Sequence, residues 1–461
     1  MKTYPPNFFV FRRVKNLYAF VLLQLYVKGL LFHTPWNTKK GDCILGSSLK
    51  QNAVPGCGQI QRVLTNEAME MTESKKVVIA GYVRSPFTPA NKGELAGVRA
   101  DDLMAQTVSG LIAKTGVDPK LVDDLKLGCA MPEGEQGLNM ARLVVLQAGL
   151  PTEIGGVTIN RFCGSSMQAI HDAAGAISMG MADAVIAAGV ESMTRVPMGG
   201  FNPSPNPDLY KNVPGAYMGM GETAENVAAR KNVTRAEQEE FSLKSQFKAA
   251  AAKKAGLTDG EIVNIKTPKG KIVSEDGCPR PESTAEGLAK LKPAFLREGT
   301  VTAATASPIT DGAAAVLVCS EEFALKHGLE ILAEVKSFAV VGLDPEVMGL
   351  GPVPATQKAM AKAGIDMSQV KFVEMNEAFA SQSVACQREL GIAEEKLNVH
   401  GGAIALGHPL GATGARITGK AAQLLHDNGK DGDYAISTQC IGAGQGITTV
   451  LKKYTPAAPK P

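Results

Sequence analysis

Opposite charges in this chain nearly cancel, with a formal net charge of +3 over 461 residues, and no cluster of Lys and Arg interleaves with aromatics. The footprint of a nucleic-acid binder is therefore missing, and any basic site must be local. Paired cysteines are missing too. The eight cysteines include no C-x-x-C pair and no Cys/His spacing suited to zinc, which excludes the usual structural metal site. Thiols so sparsely spaced fit a reducing, cytosol-like compartment, where most pack as small core residues and one or two react. Long apolar runs are absent as well. The longest near the start, Phe20 to Phe32, is broken by Gln24 and Lys28 and is too short to span a bilayer.

Acid is absent from the first 40 residues, while Lys2, Arg12, Arg13, Lys15, Lys28, Lys39 and Lys40 carry seven positive charges, leaving the remainder at −4. Residues 1–70 read as an extension ahead of the folded part. No small-residue cleavage pattern marks a targeting peptide, so the favoured reading is an overlong start, with translation beginning at Met69 or Met71. A cytoplasmic location follows, although the basic, acid-free stretch leaves organelle import open.

What is present, at 44% hydrophobic and 20% charged residues, is enough to bury two or more cores. From Lys76 the pattern is α/β: a β-branched strand at Val77 to Ala80, a helical period from Asp101 to Lys114, and Gly/Pro punctuation between later elements. Such alternation implies parallel or mixed sheets covered by helices. The stretch Pro197 to Pro293, charged and Pro-rich around a helix at Arg235 to Ala255, reads as an inserted lid or loop domain. An internal echo suggests two related halves. A strand, turn, helix and strand surround Cys163, and a similar order surrounds His408, placing a cysteine and a histidine at equivalent strand-to-helix corners.

Cys163, in Asn160-Arg161-Phe162-Cys163-Gly164-Ser165-Ser166, sits where a strand meets a helix. The helix dipole and free N–H groups there favour a thiolate, and the small neighbours leave room for a substrate. A core cysteine is the competing reading. A thiol nucleophile needs a base, and among six histidines His408 is the best candidate, flanked by Gly407 and Pro409. His171, His327 and His426 lie on helical or polar stretches and read as surface or capping residues, whereas His400 stands close enough for a supporting role. Two further segments end strands, where open α/β sheets place active-site loops: Asn376-Glu377-Ala378-Phe379 and Cys440-Ile441-Gly442-Ala443-Gly444. The second runs on into another apolar strand instead of opening a helix, which argues against a dinucleotide loop.

Cys163-Gly164-Ser165, Asn376-Glu377-Ala378-Phe379, Gly407-His408-Pro409 and Cys440-Ile441-Gly442 together resemble, in order, the four catalytic loops of thiolases. The resemblance runs from about Lys76 to Lys453 and covers nothing before about Met69. It implies two similar βαβαβαββ halves, at 76–325 and 330–454, in five α/β/α/β/α layers, with a coenzyme A-binding loop domain inserted at about 195–300. By the same resemblance Cys163 is the acyl-accepting nucleophile, His408 its base, and Cys440 the acid/base at the acetyl-CoA methyl carbon. His408 and a water on Asn376 hold the enolate oxygen, and the N–H groups of Cys163 and Gly442 form a second oxyanion hole. Ser307, in the family's pantetheine-binding segment, Met220 and Phe379 would contact acyl-CoA.

The implied reaction is thiolysis of 3-ketoacyl-CoA in fatty-acid β-oxidation. Coenzyme A and acyl-CoA are then substrates, with no metal and no tightly bound cofactor. A homodimer or homotetramer is implied, with room for a β-oxidation multienzyme subunit. The sequence leaves three rivals: a biosynthetic acetoacetyl-CoA thiolase, a decarboxylating ketoacyl synthase of the same fold, and a thiolase-like lipid carrier without catalysis. Biosynthetic members typically carry His-Met-Gly where this chain has Gly219-Met220-Gly221, which favours degradation. Cys440, as a second thiol, argues against the synthase, whose pattern is Cys-His-His or Cys-His-Asn.

Overall fold

The computed structural model describes residues 74–456. The expected extension 1–70 lies outside the described residues, as do Cys43 and Cys57. The first half runs through β1 (Val77–Arg84), α1 (Ala100–Thr115), β2 (Asp124–Gly128), α2 (Met140–Gln147), β3 (Gly155–Ile159), α3 (Ser165–Ser178) and β4 (Ala184–Ser192). An insertion holding helices α4 (Met220–Arg230) and α5 (Arg235–Lys254) precedes its last strand, β5 (Thr310–Ser320). The second half repeats the order through β6 (Ala333–Gly342), α6 (Pro352–Ala363), β7 (Val370–Met375), α7 (Ala380–Leu390), α8 (Leu410–Asn428), β8 (Tyr434–Ile441) and β9 (Gln445–Lys453).

In the first half β2 lies parallel to both β3 and β4, and β4 runs antiparallel to β5. In the second, β7 is parallel to β8, and β8 is antiparallel to β9. The strand matching β3 has shrunk to one parallel bridge, Val373 to Leu397. His408 therefore does not follow a strand, as the internal echo suggested. A single helical turn, Ala403–Leu406, stands before it. The loop between Leu397 and α8 has no β-branched run to extend a strand and is rich in glycine, which favours turns.

The strand path is β7-β8-β9-β6-β1-β5-β4-β2-β3, and the halves meet where Val78 and Ile79 pair with Glu334 and Ala333. Alternate residues of β1 face opposite layers, as strand geometry requires. Val78 and Ala80 join Leu103, Met104, Val108 and Leu111 of α1, whereas Ile79 and Tyr82 join Ile170 and Ala174 of α3 and Ala415 and Leu425 of α8. On the far side, Val353 and Ala359 of α6 and Cys386 of α7 cover Val373, Ile436 and Val450. Helices α3 and α8 thus form the middle of five layers, which explains why α8 is buried on nearly all sides.

The inserted segment is tied down by charge. Arg84 at the end of β1 is fully buried and pairs with Glu261 at 2.9 Å and Asp276 at 2.6 Å, while Lys420 of α8 reaches Glu261 at 2.9 Å. These partners hold the Glu261 carboxyl down to about 2 against the opposing effect of burial. Helix α5 starts with a capping box, Thr234 with Glu237, and lies on the second half through Ser245, Lys248 and Gln246.

One histidine departs from the sequence reading. His171, taken as a surface or capping residue, is 3% exposed, stacks on Phe338 at 4.4 Å and shares a 2.8 Å hydrogen bond with Thr449. Apolar surroundings disfavour the imidazolium, and burial lowers its pKa to about 3. Its folded value lies below its unfolded one, so the stability it contributes is present above pH ~6.5 and is lost as pH falls toward its folded value. Between pH ~6.5 and ~4.5 the stability of the native protein should therefore drop by about 2–3 kcal/mol more than that of His171→Gln. Denaturant melts of both proteins across that interval check it, and parallel pH curves would show that this ring does not titrate as a buried neutral group.

Candidate active site

Cys163 stands on a sharp turn between β3 and α3. Phe162 just before it has φ +45°, a conformation costing a non-glycine residue about 1–3 kcal/mol. The turn is held from several sides. Asn160 Oδ1 accepts from the Phe162 N–H at 2.8 Å, Ser165 Oγ donates to the Phe162 carbonyl at 2.6 Å, and Gln439, from the strand before Cys440, donates to the Cys163 carbonyl. Cys163 is 8% exposed and packs with Ala90, Ala130, Met193 and Leu410. Burial pushes its thiol up to about 11, opposed by hydrogen bonds from the backbone N–H of Gly442 and from its own. The helix terminus was expected to favour the thiolate. Desolvation outweighs it.

His408 follows Gly407, whose φ of +102° suits glycine and whose hydrogen faces Thr310 Oγ1; a Cβ there would come within 2.6 Å of that oxygen. Thr310 also accepts from the His408 backbone N–H at 3.1 Å. The ring is held at both nitrogens, by Thr413 Oγ1 at 2.6 Å from Nδ1 and Asn376 Nδ2 at 3.3 Å from Nε2. Thr413 spends its own proton on the Pro409 carbonyl at 3.1 Å, so its oxygen accepts from Nδ1–H. That leaves the lone pair on Nε2, where the Asn376 amide donates. Burial, assisted by the nearby Arg416 charge, lowers the His408 pKa to about 3. The ring is thus a neutral base whose accepting nitrogen is fixed by its neighbours.

Cys440, at the end of β8, is 1% exposed and lies among Met220, Ala306, Met348, Ala378 and Phe379. Burial, with the nearby Cys163 as a smaller cause, pushes its thiol well above the usual range, so it is a proton donor at neutral pH. The Gly442-Ala443-Gly444 turn then carries the chain into β9, with Ala443 and Gly444 both left-handed, and points the Gly442 N–H at Cys163. Across the site Ser307 N–H bonds the Ala378 carbonyl at 3.0 Å and Ala306 bridges Phe379. This joins the expected pantetheine segment to the Asn376 loop. Phe379 meets Phe295 edge-on at 5.8 Å.

The eight residues read from the sequence therefore lie in one connected region: Cys163 with Gly442, His408 with Asn376, Cys440 with Met220 and Phe379, and Ser307 beside Ala378. Several supporting residues escaped that reading. Thr413 and Gln439 carry no motif, and neither Glu191 nor Thr310 has a sequence pattern that would single it out. Glu377 was quoted only as part of a loop. Its buried carboxylate accepts from Ser245 Oγ at 2.6 Å, Asn398 Nδ2 at 2.7 Å and the Ile404 N–H at 3.1 Å, locking the Asn376 loop to α5 and to the loop before His408. His400 is half-buried in that same loop. Among the described residues, no three His, Cys, Asp or Glu side chains come together as a metal site, and no helix is long and apolar enough to cross a membrane.

Comparison with known proteins gives the same direction throughout. Residues 77–322 match the family description "Thiolase, N-terminal domain" and residues 329–453 match "Thiolase, C-terminal domain". A 3-ketoacyl-CoA thiolase of Saccharophagus degradans is 44% identical over 390 residues, covering 83% of this chain and 99% of that protein. Human mitochondrial 3-ketoacyl-CoA thiolase in complex with CoA is similar in structure, with TM-score 0.75 and 36% identity over 82% of this chain and 98% of that one. The Bacillus anthracis acetyl-CoA acetyltransferase gives TM-score 0.76 and 37% identity over 83% of this chain and 100% of its own.

Proposed function

This chain belongs to the thiolase family, and from that premise we propose that it cleaves 3-ketoacyl-CoA with free CoA, through an acyl thioester on Cys163, to acetyl-CoA and a shortened acyl-CoA in fatty-acid β-oxidation. The observation that carries the reading is the convergence of four loops: the Gly442 N–H on Cys163, Asn376 on the His408 ring, Cys440 packed with Phe379 of the Asn376 loop, and Cys163 packed with Leu410 beside His408. Cys163 and His408 rest as thiol and imidazole, so the proton passes to Nε2 as the sulfur attacks the 3-keto carbon. Charge developing on that oxygen is met by the N–H groups of Cys163 and Gly442, a kind of donor whose removal costs about 3–4 kcal/mol. The C2–C3 bond then breaks, leaving acyl-Cys163 and the enolate of acetyl-CoA. Cys440 gives its proton to the enolate carbon, while His408 and a water on Asn376 hold the enolate oxygen. Free CoA, giving its thiol proton to the Cys440 thiolate, finally takes the acyl group, and Cys163 leaves and recovers its proton from His408.

Gly219, at the place where biosynthetic acetoacetyl-CoA thiolases typically carry His, supports the degradative direction over the biosynthetic one. The proposed protein needs CoA and acyl-CoA as substrates, no tightly bound cofactor, and works in the cytoplasm. The proposed homodimer or homotetramer is supported by β3, which ends the sheet with Val157 exposed, and by Leu138, Leu143 and Leu146 exposed on and beside the neighbouring α2.

The test is to mix protein with acetoacetyl-CoA and CoA and follow the enolate absorbance. Thiolysis is expected to remove it, with longer 3-ketoacyl-CoA substrates also cleaved. A carrier would bind without turnover, and a decarboxylating synthase would leave the ketoacyl bond whole, so a flat trace from folded protein sinks the proposal.

A further inference from the structure

We infer that Glu191 is a positioning residue of this reaction, a buried clamp joining the wall of the Cys163 pocket to the helix that presents His408. The inference rests on the thiolase reading and concerns what holds its two halves in register. Glu191 lies near the end of β4 and is 1% exposed. One carboxylate oxygen accepts from the Ala130 N–H at 2.8 Å and, from the other half of the molecule, from the Gly411 N–H at 2.9 Å. The second oxygen accepts from the Met131 N–H at 3.2 Å and from Gln136 Nε2 at 2.8 Å. The thiol of Cys129 is 3.7 Å away.

These partners divide between the two sides of the site. Ala130 and Met131 pack with Cys163 and Leu410, whereas Gly411 stands in the first turn of α8, three residues beyond His408. Strand and helix are in backbone contact at this point, since a Cβ on Gly189 would lie 2.1 Å from the Gly411 carbonyl. Burial favours the neutral acid, and the four donors oppose it. Burial raises the carboxyl above its usual value, yet the geometry suits the ionised form, because a protonated oxygen would set its own hydrogen against an N–H. An ionised carboxylate at the N-terminus of α8 also suits the positive end of the helix dipole. Gln136 is itself fixed, accepting from the Ser192 N–H at 2.6 Å and donating to the Met131 carbonyl at 2.8 Å. A shift of this clamp would move the thiol and the imidazole relative to each other, and about 1 Å of misplacement can cost about a hundredfold in rate.

Glu191→Gln keeps the volume and turns one acceptor into a donor facing donors. Its thiolysis rate, divided by the fraction of sites that form acyl-enzyme in a burst, should fall about a hundredfold while KM for CoA stays at the wild-type value. A merely structural role would lower melting temperature and active fraction and leave that normalised rate alone, which overturns the inference. Should Glu191→Gln fail to fold, Gln136→Leu removes one donor and leaves the carboxylate. Its normalised rate should fall about tenfold, a fraction of the full misplacement cost, and a wild-type value overturns the inference. Wild-type protein assayed in parallel separates the two ideas: without cleavage there, the functional proposal fails first.

Discussion

Cys163→Ala is expected to abolish thiolysis, by about 10⁶-fold if this nucleophile matters as much as others removed from covalent enzymes. The protein should still fold. The sulfur is held by hydrogen bonds and packing at a nearly closed corner, and its loss leaves only a small void, worth about 1–2 kcal/mol at most. The turn itself rests on Asn160, Ser165 and Gln439, none of which bonds the Cys163 side chain. Mass spectrometry after mixing wild-type protein with acyl-CoA should find the adduct on Cys163 alone. A label on Cys440 would exchange the roles of the two thiols.

Cys440→Ser should divide the reaction in two. A serine hydroxyl is a far weaker acid than a thiol, so C–C cleavage should fall by about 10²–10⁴-fold, the scale of a lost general acid–base group. Acylation of Cys163 from a simple acyl-CoA should persist, because that step draws on His408 and the backbone donors. The geometry motivates this separation. Cys440 sits in an apolar cluster with Met220 and Phe379, whereas the His408 ring is held by Thr413 and Asn376. Hydrogen exchange at the acetyl-CoA methyl group, measured beside the acylation burst on one mutant, reads both steps. Exchange at the wild-type rate would pass the carbon acid/base role to His408 or to bound water.

Much of the molecule was legible in the primary structure because its signals are local. The β-branched run from Val77, the helical period of α1 and the helix expected at Arg235 to Ala255 report on neighbours a few residues away. The four short loops around Cys163, Asn376, His408 and Cys440 mark the family because each is a short contiguous string around one reactive residue. They name the chemistry before any contact is known.

Tertiary structure decided what those residues do in one another's presence. Proton positions at His408 depend on Thr413 and Asn376. The high thiol pKa values of Cys163 and Cys440 depend on desolvation, which outweighs the helix terminus that sequence reasoning emphasised. His171 became a core residue because α3 is enclosed between the two halves of the continuous sheet, a fact invisible from its own helical neighbours. Glu191 and Gln439 act across 220 and 276 residues, respectively, reaching Gly411 and the Cys163 carbonyl. The physical reason is shared. Periodicity and turn chemistry are written over a few residues, whereas burial, protonation and the spacing of a nucleophile from its base arise when distant segments exclude water together.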